Sequence, residues 1–170
     1  QLFMFPVKLV EFINAPQINT ICWVVPALTM ISGLGAFEKA VPSSLKTIAF
    51  GSEVFPARQL ALWRKYVPNA RYINLYGPTE ATGMSCYYVV DREFKEDEVI
   101  PIGRPFPNTG ILLLNEDGKE VTQGEKGEIC IRGTAVTMGY YRQPEKTAGN
   151  FVQNPLNKDY PEIIYKLSLI

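Results

Sequence analysis

Arg71-Tyr72-Ile73-Asn74-Leu75-Tyr76-Gly77-Pro78-Thr79-Glu80-Ala81-Thr82 is the stretch on which the fold turns. Its first half, Arg71–Leu75, reads as a short apolar strand. Gly77-Pro78 then forces a turn, and a hydroxyl, a carboxylate and a second hydroxyl follow it. Upstream, helical and strand patterns alternate. Pro56 sits where a helix accepts proline, in the first turn. Leu60, Trp63 and Val67 follow at helical spacing, opposite Arg58, Gln59, Arg64 and Lys65, until Pro68 ends the pattern. Leu45–Phe50 and Thr20–Val25 are continuous apolar runs of the kind that form buried parallel strands. A helix is predicted over Leu28–Lys39, weakened by Gly33 and Gly35, and another over residues 6–13, with Val7, Val10 and Phe12 among polar neighbours. Strands alternating with helices predict an α/β fold with a mostly parallel sheet.

Downstream, Met84–Val90 reads as one more strand, after which the character changes. Asp91–Glu98 carries five acids and two bases and reads as a solvated loop. Short β-like segments, Ile111–Leu114 and Glu128–Arg132, follow, with turns marked by Asp117-Gly118 and Gly124-Glu125-Lys126-Gly127. No helix of length is expected before residue 144. The organisation is therefore an α/β part over 1–98 and a small antiparallel, barrel-like β part over 99–170.

Composition narrows the function. Of 170 residues, 17 are basic and 17 acidic, which removes the electrostatic case for nucleic acid or an anionic membrane. The nearest approach to a bilayer span, Ile21–Ile31, is too short and is broken by Pro26. With no histidine, Ser-His and Cys-His catalysis and the usual zinc sets cannot be built from this chain alone. Three cysteines, Cys22, Cys86 and Cys130, in apolar surroundings suit reduced core thiols and a cytoplasmic location.

Two stretches have the makings of a site. Ile48-Ala49-Phe50-Gly51-Ser52-Glu53 runs from a strand through small residues towards a helix, so a ligand can approach its backbone closely. Taken alone, it reads first as a tight β–α turn. In the second, Asn74–Thr82, Tyr76 can offer a flat face to a base, Thr79 can donate to a phosphate and Glu80 can hold Mg²⁺. The competing reading is a surface turn in which Thr79 and Glu80 open a short helix.

The string Tyr76-Gly77-Pro78-Thr79-Glu80-Ala81-Thr82 resembles the adenine- and phosphate-contacting motif of the adenylate-forming superfamily. Pro101-Ile102-Gly103-Arg104-Pro105 with Asn108-Thr109 is similar to that family's connecting segment. Gly127-Glu128-Ile129-Cys130-Ile131-Arg132-Gly133, Gly139-Tyr140-Tyr141, Arg142-Gln143-Pro144-Glu145-Lys146-Thr147 and Phe151 resemble its next strand and loop. The likeness covers nearly the whole chain in the right order. Amino-acid adenylation domains and D-alanine–carrier protein ligases match these phrases better than acyl-CoA synthetases do.

The resemblance implies an α/β AMP-binding part and a set of roles. Gly51, Ser52 and Glu53 would lie along the adenine and the acyl group, and Asn74 and Tyr76 would flank the purine, with Gly77 at the turn. Thr79 would contact the α-phosphate of ATP and Glu80 would coordinate Mg²⁺. The substrate pocket would take in Trp23, Ala49, Gly51, Leu75, Gly83 and Met84, which implies a small or apolar amino acid; Trp23 and Leu75 also read as plain core packing. The aminoacyl-AMP would pass to the phosphopantetheine thiol of a carrier protein.

The chain departs from the family pattern in three ways. The Ser/Thr/Gly-rich phosphate loop would precede Gln1, as would the aspartate that holds the substrate's ammonium group. After Ile163-Ile164-Tyr165-Lys166 comes Leu167-Ser168-Leu169-Ile170 where Thr-Gly-Asp is expected. The domain with the catalytic lysine would lie beyond Ile170, and Lys166 is not expected to be that lysine. The segment is therefore expected to be inactive alone, and to self-associate through uncovered sheet edges and apolar surface. Alternatives are a fragment of a fatty-acyl or aryl-CoA synthetase and a non-catalytic relic or binding module.

Overall fold

Parallel strands cannot be joined by a tight turn, so each pair needs a crossover segment on a face of the sheet. The computed structural model, which describes residues 2–167, has that arrangement in its first half. Helix α1 (Pro6–Asn14) precedes β1 (Thr20–Val24); α2 (Val25–Gly33) leads to β2 (Thr47–Gly51), and α3 (Ala57–Tyr66) to β3 (Arg71–Tyr76). The sheet runs β1-β2-β3-β4, with β4 at Cys86–Val89. β2 is parallel to both of its neighbours, Trp23 standing opposite Phe50 and Phe50 opposite Asn74.

The chain divides into two compact units, Gln1–Tyr76 with Tyr87–Gly103, and Gly77–Cys86 with Arg104–Ile170. Ser168–Ile170, where the Thr-Gly-Asp pattern fails, lie outside the described residues.

The first unit's core is built from the covered face of the sheet and the helices on it. Ile48, Phe50, Leu28 and Trp63 are fully buried, and burial of such side chains contributes about 1.5–3 kcal/mol each. Trp63 Nε1–H donates to the Leu28 carbonyl at 3.0 Å, tying α3 to α2, and its ring meets Phe37 edge-on at 4.9 Å. The predicted helical stripe Leu60, Trp63, Val67 is buried as expected. The charged stretch after β4 is an exposed loop closed by an Arg92–Glu98 pair at 3.1 Å, a kind of pair that contributes little when solvated.

Four sequence expectations need correction here. The second helix starts at Val25, not Leu28, and stops at Gly33; Ala36–Glu38 is a separate tight turn. Pro26 ends the apolar run of β1, but proline is at home in a helix's first turn, so strand passes to helix directly. In α1 the buried stripe is Leu9, Val10 and Ile13, while Phe12 faces solvent. Cys22 is exposed on β1, so only Cys86 and Cys130 are core thiols. Burial and the nearby Glu128 carboxylate push the Cys130 thiol up to about 11. The strand expected over Met84–Val90 covers only Cys86–Val89, which leaves Gly83, Met84 and Ser85 in the preceding loop.

The second unit contains β5 (Arg104–Pro105), β6 (Thr109–Leu114), β7 (Glu128–Gly133), the short helix α4 (Pro144–Asn150), β8 (Phe151–Gln153) and β9 (Ile163–Lys166). Four of its strands form an antiparallel sheet in the order β6-β7-β9-β8. Side chains alternate across it: Ile131, Phe151 and Tyr165 pack with Ala81 on one face, and Leu112, Leu114, Cys130 and Ile164 on the other. Among the described residues no helix is long and apolar enough to cross a membrane.

Candidate functional site

In the first unit the candidate residues stand at the carboxyl ends of β1, β2 and β3. Residues paired across a parallel ladder point to the same face, and successive residues alternate. Cys22 pairs with Ala49 and Ala49 with Ile73; Val24 pairs with Gly51 and Gly51 with Leu75. Ala49, Gly51 and Leu75 therefore share one face. Trp23 falls on the other, with Phe50 and Asn74, and packs against the buried core. The structure does not bring Trp23 together with the other pocket candidates. Val24, half exposed and level with Gly51 and Leu75, occupies that place.

Gly51 has a steric reason to be glycine, since a Cβ there would stand 2.5 Å from the Leu75 carbonyl oxygen of the adjacent strand. Ser52 follows with φ of 74° and is exposed, as is Glu53. Asn74 is buried, and its side-chain amide donates to the Pro101 carbonyl at 2.9 Å. That contact anchors the end of β3 to the segment before Gly103.

In the second unit, Gly77–Ser85 closes into a tight loop. A Cβ on Gly77 would meet the Gly83 oxygen at 2.3 Å and the Ser85 nitrogen at 2.5 Å. The Gly83 N–H bonds back to the Pro78 carbonyl at 3.0 Å, and Thr79–Ala81 makes a single helical turn. The loop buries Ala81 completely and leaves Thr79 and Met84 exposed. Glu80 is half buried, and the Tyr140 hydroxyl donates to its Oε1 at 2.7 Å. That hydrogen bond, with help from the Lys146 charge and Tyr165, holds the Glu80 carboxyl below its ordinary range. Burial and the Glu80 carboxylate push Tyr140 the opposite way, so it remains a donor at neutral pH.

Tyr140, Lys146 and Tyr165 are neighbours of Glu80 that sequence reading did not connect with it. No short spacing marks them: Tyr140 lies sixty residues beyond Glu80. Ser85 adds an oddity, a buried hydroxyl with no hydrogen-bond partner among the described residues. An unsatisfied buried hydroxyl costs about 1–3 kcal/mol, so Ser85→Ala should keep or raise the melting temperature. A clear fall in a thermal melt would mean that the hydroxyl has a partner.

Among the described residues no three His, Cys, Asp or Glu side chains converge on a point. A divalent cation at Glu80 would thus find fewer than three such ligands among the described residues and would draw the others from phosphate and water, the usual manner of Mg²⁺ in nucleotide sites. An ionised carboxylate beside the exposed Thr79 fits such a cation.

The family described as AMP-binding enzyme matches residues 2–141. The chain belongs to that family. Over 150 residues it is 35% identical to the delta-poly-L-ornithine synthetase of Acinetobacter baumannii (strain AB307-0294), covering 88% of this chain and 10% of that protein. Over 102 residues it is 41% identical to a D-alanine--D-alanyl carrier protein ligase of Streptococcus pyogenes serotype M3 (strain SSI-1), covering 59% of this chain and 20% of the ligase. The solved structure of PA1221, an NRPS protein containing adenylation and PCP domains, superposes with a TM-score of 0.82 at 25% identity. It covers 95% of this chain and 32% of that one. This AMP-binding segment therefore spans a tenth to a third of the length of these relatives. Its mixed α/β architecture, a largely parallel sheet and a separate antiparallel one, is that of the adenylation structures it matches.

Proposed function

We propose that the chain is the central part of a ligase that activates an amino acid as aminoacyl-AMP, in the manner implied by the names of its relatives. The observation that carries this reading is the Gly77–Ser85 loop, which presents the Thr79 hydroxyl to solvent and an ionised Glu80 beside it.

In this reading Gly51, Ser52 and Glu53 run along the adenine and acyl group, and Asn74 and Tyr76 border the purine. A substrate carboxylate oxygen attacks the α-phosphorus of ATP, the bond to the bridging β-phosphate oxygen breaks, and pyrophosphate leaves. Negative charge grows on the α-phosphate oxygens, and the Thr79 hydroxyl donates to them. Prepositioned donors of this kind typically supply about 10²–10³ in rate. Mg²⁺, when bound, neutralises phosphate charge, and Glu80 is its protein ligand. Ala49, Gly51 and Leu75, with Val24 level with them on the same face, are the acyl-pocket candidates of the first unit, and Gly83 and Met84 are those carried by the second unit's loop. Small residues beside apolar ones favour a small or apolar amino acid such as D-alanine. The acceptor is the phosphopantetheine thiol of a carrier protein.

ATP–pyrophosphate exchange, measured on the complete reading frame with a panel of amino acids, tests this. Exchange with small apolar amino acids is expected, and Thr79→Ala should lower it about 100-fold. Release that depends on CoA, not on a carrier protein, would replace the proposal with an acyl-CoA synthetase. No exchange with any acid would leave a binding relic.

A further inference from the structure

We propose that Tyr140 is the positioning residue for Glu80, fixing the carboxylate in the orientation in which it receives a divalent cation bound to nucleotide phosphate. The inference rests on the reading of Glu80 given above and goes one step beyond it. Glu80 sits on a turn of only three residues, Thr79–Ala81, so the turn offers its side chain little restraint. The restraint comes from the segment Ala135–Tyr140. The Thr137 N–H donates to the Glu80 carbonyl at 2.8 Å, and the Thr82 hydroxyl donates to the Ala135 carbonyl at 2.7 Å. These bonds register the segment on the turn and bring the Tyr140 hydroxyl to 2.7 Å from Glu80 Oε1.

Tyr140 is itself fixed from three sides. Its N–H donates to Thr147 Oγ1 at 2.9 Å, and its ring meets Phe151 edge-on at 5.5 Å. The Lys146 ammonium lies 4.1 Å from the ring centroid. A cation over an aromatic face is attracted to the ring, and a hydroxyl bonded to a carboxylate makes a short, strong, charge-assisted bond. Tyr140 thus plays for Glu80 the part that outer partners play for metal ligands elsewhere, setting orientation before the ion arrives. Loss of such partners typically weakens metal affinity about 10–100-fold.

Mn²⁺ added to the 170-residue chain in the presence of ATP is a direct probe, because the ion broadens the amide NMR signals nearest to it. In the native chain, broadening should centre on Thr79–Thr82, and Glu80→Gln should abolish that centre. Tyr140→Phe keeps the ring and removes the donor; it should raise the Mn²⁺ midpoint about 10-fold or more and lower the melting temperature only slightly. Ile164→Val, a packing control on the other face of the antiparallel sheet, should lower the melting temperature and leave the midpoint alone. An unchanged midpoint in Tyr140→Phe, or an equal shift in Ile164→Val, overturns the positioning role and leaves Glu80 as the ligand. Absence of broadening around Thr79–Thr82 in the native chain overturns the metal reading of Glu80, and the role of Tyr140 with it.

Discussion

Trp63→Ala is expected to cost the first unit about 3–5 kcal/mol, the usual range for emptying a large aromatic site in a packed core. Trp63 has no exposed surface, its ring packs on Phe37, and its indole N–H is the donor to the Leu28 carbonyl. Alanine would remove the packing and this donor, but the Leu28 carbonyl keeps the Ser32 hydroxyl at 3.1 Å, so the cavity carries most of the cost. The two elements that would loosen are α2 and α3, the crossovers that make the parallel pairing of β1, β2 and β3 possible. The chain has two tryptophans, so in the variant the fluorescence of Trp23 alone reports urea unfolding of this unit. A shift in midpoint equivalent to less than 1 kcal/mol would contradict the burial described. Trp63→Phe should fall between the two, since it keeps most of the volume and loses only the donor.

The second large effect is expected at Gly77. In Gly77→Ala the new methyl would meet backbone on every side: the Gly83 oxygen, the Ser85 nitrogen and, at 2.9 Å, the Met84 Cα. Backbone cannot swing aside as a side-chain tip can, so the loop must open. Overpacking of this sort costs about 1–3 kcal/mol. Opening the loop also displaces Thr79 and Glu80, and the bond from the Thr137 N–H to the Glu80 carbonyl should lengthen or break. Amide hydrogen exchange at Thr137 is the measurement: about tenfold faster exchange per 1.4 kcal/mol lost is expected. Native-like protection at Thr137 would show that the loop accommodates the methyl without moving.

Most of the α/β half was legible because its strands are continuous apolar runs and its helices carry one apolar stripe. Where the reading failed, two structural solutions shared one pattern. Pro26 closes a strand as readily as it opens a helix, and only packing decides. Phe12 is apolar yet exposed, because hydrophobicity does not determine which side of α1 meets the core. The site's backbone was legible for a different reason: Tyr76–Thr82 is a contiguous string. Trp23 was assigned to a pocket although β1 is apolar at successive positions, Ile21 to Val24. Such a strand has no alternation to reveal its faces, and a shift of one residue exchanges them. Tyr140 stayed invisible because its contact with Glu80 exists only after the antiparallel sheet has formed.

The division of the chain into units has a consequence for biosynthesis. The backbone passes between the units three times, after Tyr76, after Cys86 and after Gly103. A ribosome emitting this chain in order releases α1 through β3 early, but that unit acquires Tyr87–Gly103, with the buried Val90 and Ile100, only later. The Gly77–Cys86 loop is made before β5 to β9, the strands with which it shares a unit, so its bonds to Ala135, Thr137 and Tyr140 can form only once the later residues are translated. The candidate motif is thus made early, while the partners that hold it are made late.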